Sequence, residues 1–220
     1  MNSTNQGNIP AADLWQQLAK SRLYVLMEGG NSVTEFRNLV TRLVNAEVDI
    51  IQLRDKRLPD HDLLERLEAL VEITRPTPTL AILNDRPDLA AQRAADGVHL
   101  GQEDLSATDA RAIVGSAMLI GISTHNIEQA RCALAEGADY LGAGPTFPSM
   151  TKSFDEFPGV EFLRRIAGEI SMPVFAIGGI TLKNLPLVQA AGIQRIAVSG
   201  SIMPAREPEK VVAELCRQLR

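Results

Sequence analysis

Two aspartates, Asp85 and Asp104, and the alternating run Gln52-Leu53-Arg54-Asp55-Lys56 have the clearest capacity for chemistry in this chain. In an extended segment every second side chain faces the same way, so Gln52, Arg54 and Lys56 share a side. Three donors pointing one way suit a multiply charged anion. The plainer reading of the same trio is a solvated strand end with a local salt bridge. Two carboxylates leaving neighbouring strands can share a Mg²⁺ whose other ligands are waters and phosphate oxygens. Each can equally cap the helix that follows it, and Asp85 stands just before Arg86-Pro87, which suits a cap. Spacing alone leaves both readings open.

Further along, Gly178-Gly179-Ile180 and Ser199-Gly200-Ser201 are glycine-containing turns after two consecutive apolar runs. Backbone N–H groups in such turns, with the start of a short following helix, can cradle a phosphate. The segment 144–156 carries Ser149, Thr151 and Lys152 among prolines and reads as a lid with one cation, or as an ordinary loop. Ser123, Thr124 and His125 end another apolar run. His125 can face a site there or support one, His99 inside a run reads as a hydrogen-bonded structural histidine, and His61 at a helix start reads as exposed. No Ser/His/Asp order, H-E-x-x-H or cysteine nucleophile motif is present.

These residues need a frame that gathers them. Apolar runs at 23–27, 49–53, 79–83, 98–100, 119–122, 140–142, 174–177 and 195–198 predict strands. Helical periods fall at 34–46, 60–73, 86–95, 107–114, 127–136, 159–170, 182–191 and 208–219. A short helix at 14–20 precedes them, with Trp15 expected to pack it against the body. Strict alternation of strand and helix implies a parallel sheet with helical crossovers. Eight such units predict a (β/α)8 TIM barrel, with a doubly wound open sheet as the runner-up. In a barrel the polar strand ends above collect at one mouth, where the site is expected. Asp60 and Ser106 are expected caps, and the glycines of Ala-Asp-Gly (95–97), Glu-Gly-Ala-Asp (136–139) and Ala-Gly-Ile (191–193) are expected to close helices.

The 220 residues suffice for one core, so the expected organisation is a loose tail over 1–12 and one barrel domain over 13–220. A net charge of −5 argues against general nucleic-acid binding. No apolar run nears the roughly 18 residues of a membrane span, and the polar beginning of the chain lacks a hydrophobic signal core. Cys132 and Cys216 stand alone in helical patterns and read as reduced, buried thiols of a cytoplasmic protein. The oligomeric state is not fixed by the sequence, and a homo-oligomer stays open.

Six stretches in register resemble thiamine phosphate synthases: QLRDK (52–56), ND (84–85), GVHLGQEDL (97–105), GISTH (121–125), GPTFPSMTK (144–152) and AIGGI (176–180). Each is weak alone; six in order from about Tyr24 onward are specific. The resemblance implies a (β/α)8 barrel that joins hydroxymethylpyrimidine diphosphate to thiazole phosphate, releasing pyrophosphate. By that resemblance Gln52, Arg54, Lys56 and Asn84 hold the pyrimidine diphosphate, and Asp85 and Asp104 ligate Mg²⁺. Ser123 and Lys152 also contact the diphosphate or leaving pyrophosphate, which makes Arg54, Lys56, Ser123 and Lys152 the implied catalytic set. Ser149 and Thr151 fall in the stretch that binds thiazole phosphate, and Gly179, Ser199 and Gly200 cradle that phosphate. Ser149 replaces a usual threonine and keeps its hydroxyl. Arg195 stands near a usual glycine, in a turn expected at the end away from the site.

Such a reaction needs no general base, because the thiazole nitrogen attacks through a lone pair without a proton. Positioning, charge neutralisation and exclusion of water suffice. A related thiazole tautomerase is the nearest rival; it would need a histidine base such as His125 and no metal pair. A non-catalytic binder of thiamine precursors is a second. A Schiff-base aldolase through Lys56 is a third, but it would want that lysine desolvated.

Overall fold

The computed structural model describes residues 11–148 and 158–220. The chain runs α1 (Ala11–Lys20), β1 (Leu23–Met27), α2 (Val33–Asn45), β2 (Ile50–Leu53), α3 (Asp60–Thr74), β3 (Leu80–Asn84), α4 (Pro87–Gln92), β4 (Gly97–Leu100) and α5 (Ala107–Val114). It continues with β5 (Leu119–Thr124), α6 (Ile127–Ala135), β6 (Tyr140–Ala143), α7 (Gly159–Glu169), β7 (Val174–Ile177), α8 (Leu185–Ala190), β8 (Ile196–Val198) and α9 (Pro208–Leu219). The strands are all parallel and close in sequence order, β8 pairing back onto β1 through Leu23↔Ile196. This is a (β/α)8 barrel, and the open sheet is excluded. Residues 1–10, most of the expected tail, lie outside the described residues.

Alternation along each strand splits the core in two. Val25, Ile51, Leu53, Ala81, Leu83, Val98, Ile120 and Leu141 face outward and pack with the helices. Tyr24, Ile50, Leu80, Ile82, Leu119, Tyr140, Phe175 and Ala197 fill the barrel interior. Leu14 and Leu18 of α1 join this inner cluster and plug its floor. Trp15 does not pack as expected: it is 43% exposed, because the i, i+4 pair Leu14/Leu18 already supplies the helix's buried face.

Helix starts have local causes. Ser32, Ser106 and Asn126 accept hydrogen bonds from Glu35 N, Asp109 N and Gln129 N, capping α2, α5 and α6. Asp60 makes no cap; Pro59 occupies that position, and the Asp60 carboxylate pairs with Arg86 at 2.6 Å. Gly137 (φ 84°) and Gly192 (φ 91°) take the left-handed conformation that closes a helix. Gly97 does not. It opens β4, where a Cβ would stand 2.7 Å from Ile82 Cδ1 and from Leu119 O, so close packing requires it. The cysteines are free thiols, but Cys132 is exposed and Cys216 half-buried, against the expectation of buried ones.

Three carboxylates repeat one device at the floor of the barrel. Asp49, Asp96 and Asp139 each stand one residue before β2, β4 and β6 and accept from an N–H of the preceding strand. The distances are 2.8 Å to Leu23 N, 2.7 Å to Ala81 N and 2.6 Å to Ile120 N. Before β8 the position holds Arg195, which donates instead to Ser21 O and Ala19 O and so fastens α1. Arg195 thus has a structural place, far from the strand C-termini, as expected. Among the described residues no helix is long and apolar enough to cross a membrane.

Candidate active site

The C-terminal ends of the strands bring the described members of the expected polar set to one mouth. Gln52 follows Ile50 by two residues on β2 and so shares its inward side. It is 1% exposed and donates from Nε2 to the Tyr24 hydroxyl at 2.6 Å, while its Oε1 is buried without a partner. Arg54 is exposed at the strand exit, close enough for its charge to bear on His99. Asp55, the alternate residue, is turned away: its carboxylate accepts from the backbone of Gly29, Arg57 and Leu58 and staples two mouth loops together.

Lys56 Nζ lies 2.9 Å from Asp85 Oδ2. Asp85 does not cap α4; it takes φ 62°, Arg86 fills the cap position, and no side chain caps that helix. Its carboxylate meets that of Asp104 instead. Burial pushes the Asp104 carboxyl up and the Asp85 carboxylate adds to this, against the Gly101 N–H bond and the charge of Lys56. Two carboxylates held against each other, with one exposed lysine paired to Asp85, form a small acidic site. Among the described residues no group of three or more His, Cys, Asp or Glu gathers to hold a metal. A hard cation here would take two protein carboxylates and leave its remaining positions to water or ligand oxygens, the arrangement Mg²⁺ favours.

Asn84 pairs in register with His99, and His99 with Gly121. Ser123 lies two residues beyond Gly121, on the inward side of β5. Its Oγ is 2.9 Å from His99 Nε2, and its carbonyl accepts from Gln102 Nε2 at 2.6 Å. Burial pushes the His99 imidazole down to about 4, aided by the charge of Arg54 and opposed by Asp104, so it is neutral at ordinary pH. His125 turns to β6 and places Nδ1 2.5 Å from Gly144 O.

Across the mouth, Gly178 (φ 97°) and Gly179 (φ 62°) follow β7. A Cβ on Gly179 would stand 2.4 Å from Pro148 O, and one on Gly178 2.7 Å from Pro145 Cα. Only glycine admits the segment after β6 this closely. Gly178 O accepts from Phe147 N, and Gly179 O from Asn184 Nδ2. Ser199, Gly200 and Ser201 follow β8 in a single turn, Ile202 N and Met203 N both returning to Ser199 O, rather than in a helix. A Cβ on Gly200 would meet open space, and Ser201 Oγ is buried without a partner. Ser149, Thr151 and Lys152 lie outside the described residues.

The family model for thiamine monophosphate synthase matches residues 23–202, which spans every strand of this barrel. The chain belongs to the thiamine monophosphate synthase family. A thiamine-phosphate synthase of Rhodopirellula baltica is 44% identical over 86% of the chain, and one of Gloeobacter violaceus 40% identical over 98%. These matches cover 52% and 62% of the two relatives, so the chain spans little more than half their length. A thiamine phosphate pyrophosphorylase of Pyrococcus furiosus is 33% identical with a TM-score of 0.79, over 94% of this chain and 97% of that one. The match to 3-hexulose-6-phosphate synthase, 20% identical at a TM-score of 0.69, shows the shared barrel alone. Within the family, the sequence reasoning missed Tyr24, Tyr140 and Gln102. The tyrosines read as ordinary apolar strand residues; their inward parity, with Gly121 opposite Tyr140, was the available signal. Gln102 carried none.

Proposed function

We propose that the mouth of this barrel joins hydroxymethylpyrimidine diphosphate to thiazole phosphate, giving thiamine phosphate and pyrophosphate. The observation that carries the proposal is the Lys56–Asp85–Asp104 cluster facing the glycine turns after β7 and β8. Charged groups suited to a metal diphosphate stand on one side, and a neutral backbone cradle suited to a monophosphate on the other. Gln52, Arg54, Lys56, Asn84 and Ser123 would bind and orient the diphosphate substrate, with Lys152 adding a cation from the segment after β6. Gly179, Ser199 and Gly200 would hold the thiazole phosphate, with Ser149 and Thr151 beside it. Asp85 and Asp104 would hold Mg²⁺, which neutralises charge on the leaving diphosphate.

The bond from the pyrimidine methylene to the diphosphate oxygen breaks, and its electrons leave with pyrophosphate. The thiazole nitrogen then supplies the lone pair for the new C–N bond. No proton moves, so no residue needs a shifted pKa for base catalysis. The chain's work is to align the two rings, counter the leaving charge through Arg54, Lys56 and Lys152, and keep water from a carbocation. His125, occupied with Gly144 O, does not favour the tautomerase alternative. The free thiols Cys132 and Cys216 fit a cytoplasmic setting. Incubating the protein with Mg²⁺ and both substrates tests the reading: thiamine phosphate and pyrophosphate should form in equal amounts. Folded protein that binds both substrates and releases no pyrophosphate would refute it.

A further inference from the structure

A chain of buried polar groups crosses the barrel beneath the mouth and joins Gln52 to Ser123. Gln52 Nε2 lies 2.6 Å from Tyr24 Oη, and Tyr24 Oη 3.1 Å from Tyr140 Oη. Tyr140 Oη lies 3.3 Å from His99 Nδ1, and His99 Nε2 2.9 Å from Ser123 Oγ. Tyr24, Tyr140, His99 and Gln52 are all buried. Their places are fixed by packing. The Tyr24 ring packs edge-on to His99 and to Phe175. A Cβ on Gly121 would stand 2.1 Å from Tyr140 Cζ, and one on Gly142 3.3 Å from His99 Cε1. Two glycines on adjacent strands therefore make the room that these rings occupy.

Gln52 can give the chain a direction. An amide nitrogen only donates, so Tyr24 Oη accepts from Gln52 and can pass its own proton to Tyr140, in a pair where either hydroxyl is able to donate. Tyr140 can in turn donate to His99 Nδ1, whose role follows the imidazole tautomer. A neutral imidazole accepting at Nδ1 carries its hydrogen on Nε2, and that hydrogen points to Ser123 Oγ. One of the two serine lone pairs then accepts from His99, so the serine O–H is not spent on the imidazole and is left to donate outward.

We propose that His99 is a positioning residue: held in the Nε2–H form by Tyr140, it fixes the Ser123 hydroxyl as a donor to a diphosphate oxygen in the mouth. The proposal rests on the reading of Ser123 as a diphosphate contact. The same polarity explains why a buried network is kept where apolar side chains would fill the barrel at less cost. A serine free to rotate would spend part of its time accepting, which offers nothing to an anion.

The test uses the whole protein with inorganic pyrophosphate and Mg²⁺ as the probe. Nitrogen-15 NMR of the unliganded protein near pH 7 should show His99 as the neutral Nε2–H tautomer; the Nδ1–H tautomer or an imidazolium would overturn the proposal. By calorimetry, His99→Leu should weaken pyrophosphate binding about tenfold, the order of one hydrogen bond. His99→Gln, which can place an N–H near the same point, should stay within about threefold. On a Ser123→Ala background His99→Leu should change nothing further; a loss that persists there would assign His99 a merely structural role and overturn the proposal. Should His99→Leu fail to fold, the tautomer in the unaltered chain still decides. The correct tautomer and coupling without thiamine phosphate formation would uphold the relay and reject the reaction.

Discussion

The two ends of the barrel use the same residue type in opposite ways. At the floor, Asp49, Asp96 and Asp139 are each matched to backbone N–H groups of a neighbouring strand. Asp139 also pairs with Arg111 at 2.7 Å. At the mouth, Asp85 and Asp104 face each other, with the exposed Lys56 as their counter-charge. Carboxylates with internal partners close a structure; carboxylates set against each other leave a charge for something else to answer. The (β/α)8 barrel thus separates the cost of folding from the cost of a site, one at each end of the same strands.

That separation can be broken by exchanging losses between the ends. The largest effect is expected from Lys56→Ala, which removes a mouth cation: turnover to thiamine phosphate should fall on the order of 100-fold, with the melting temperature unchanged. A large fall in melting temperature would move Lys56 to the structural side. Next, Asp139→Ala leaves Ile120 N and Arg111 without their buried partner and should cost about 3 kcal/mol of stability. Turnover per folded molecule should stay as it was; selective loss of activity would blur the division.

A smaller effect concerns pH. Burial pushes the Asp96 carboxyl up from 3.8 to about 6, with the Ala81 N–H and Arg75 opposing. The native state then holds this proton more tightly than the unfolded chain does. Its contribution is full below about 4, falls as pH rises towards 6, and is lost above that. Over that window it is worth on the order of 3 kcal/mol. Asp96→Asn keeps an acceptor for Ala81 N and should flatten this part of the stability profile, as urea titrations at several pH values would show. An unchanged slope would contradict the buried carboxyl's role. The smallest effect is expected at Trp15: Trp15→Ala should alter stability by no more than about 0.5 kcal/mol, whereas Leu18→Ala should cost about 3 kcal/mol as a buried leucine.

The sequence carried the barrel because strand and helix periods are local and repeated eight times. It missed where competing local geometry cut elements short. Helix α4 is shorter than its periodicity, bounded by Asp85 at φ 62° and Ala94 at φ 50°. Helix α8 starts at Leu185, because Thr181 N is bound by Asn184 Oδ1 in the turn before it. Trp15 misled because hydrophobicity does not tell which face of a short helix is covered. At the mouth, strand parity placed Gln52 at barrel depth, where it is buried. It could not choose between cap and cluster for Asp85, since that depends on one left-handed residue. The tyrosine–histidine chain was illegible, because it is built from residues distant in sequence that meet only once the barrel closes.

The division of labour between the two ends is tested most directly at Asp104, whose carboxylate serves the mouth and accepts from the Gly101 N–H. Turnover of Asp104→Ala, measured against Mg²⁺ concentration beside its melting curve, should show loss of nearly all Mg²⁺-dependent thiamine phosphate formation with the melting temperature preserved. Unchanged turnover at limiting Mg²⁺, or a loss that merely follows unfolding, would contradict it.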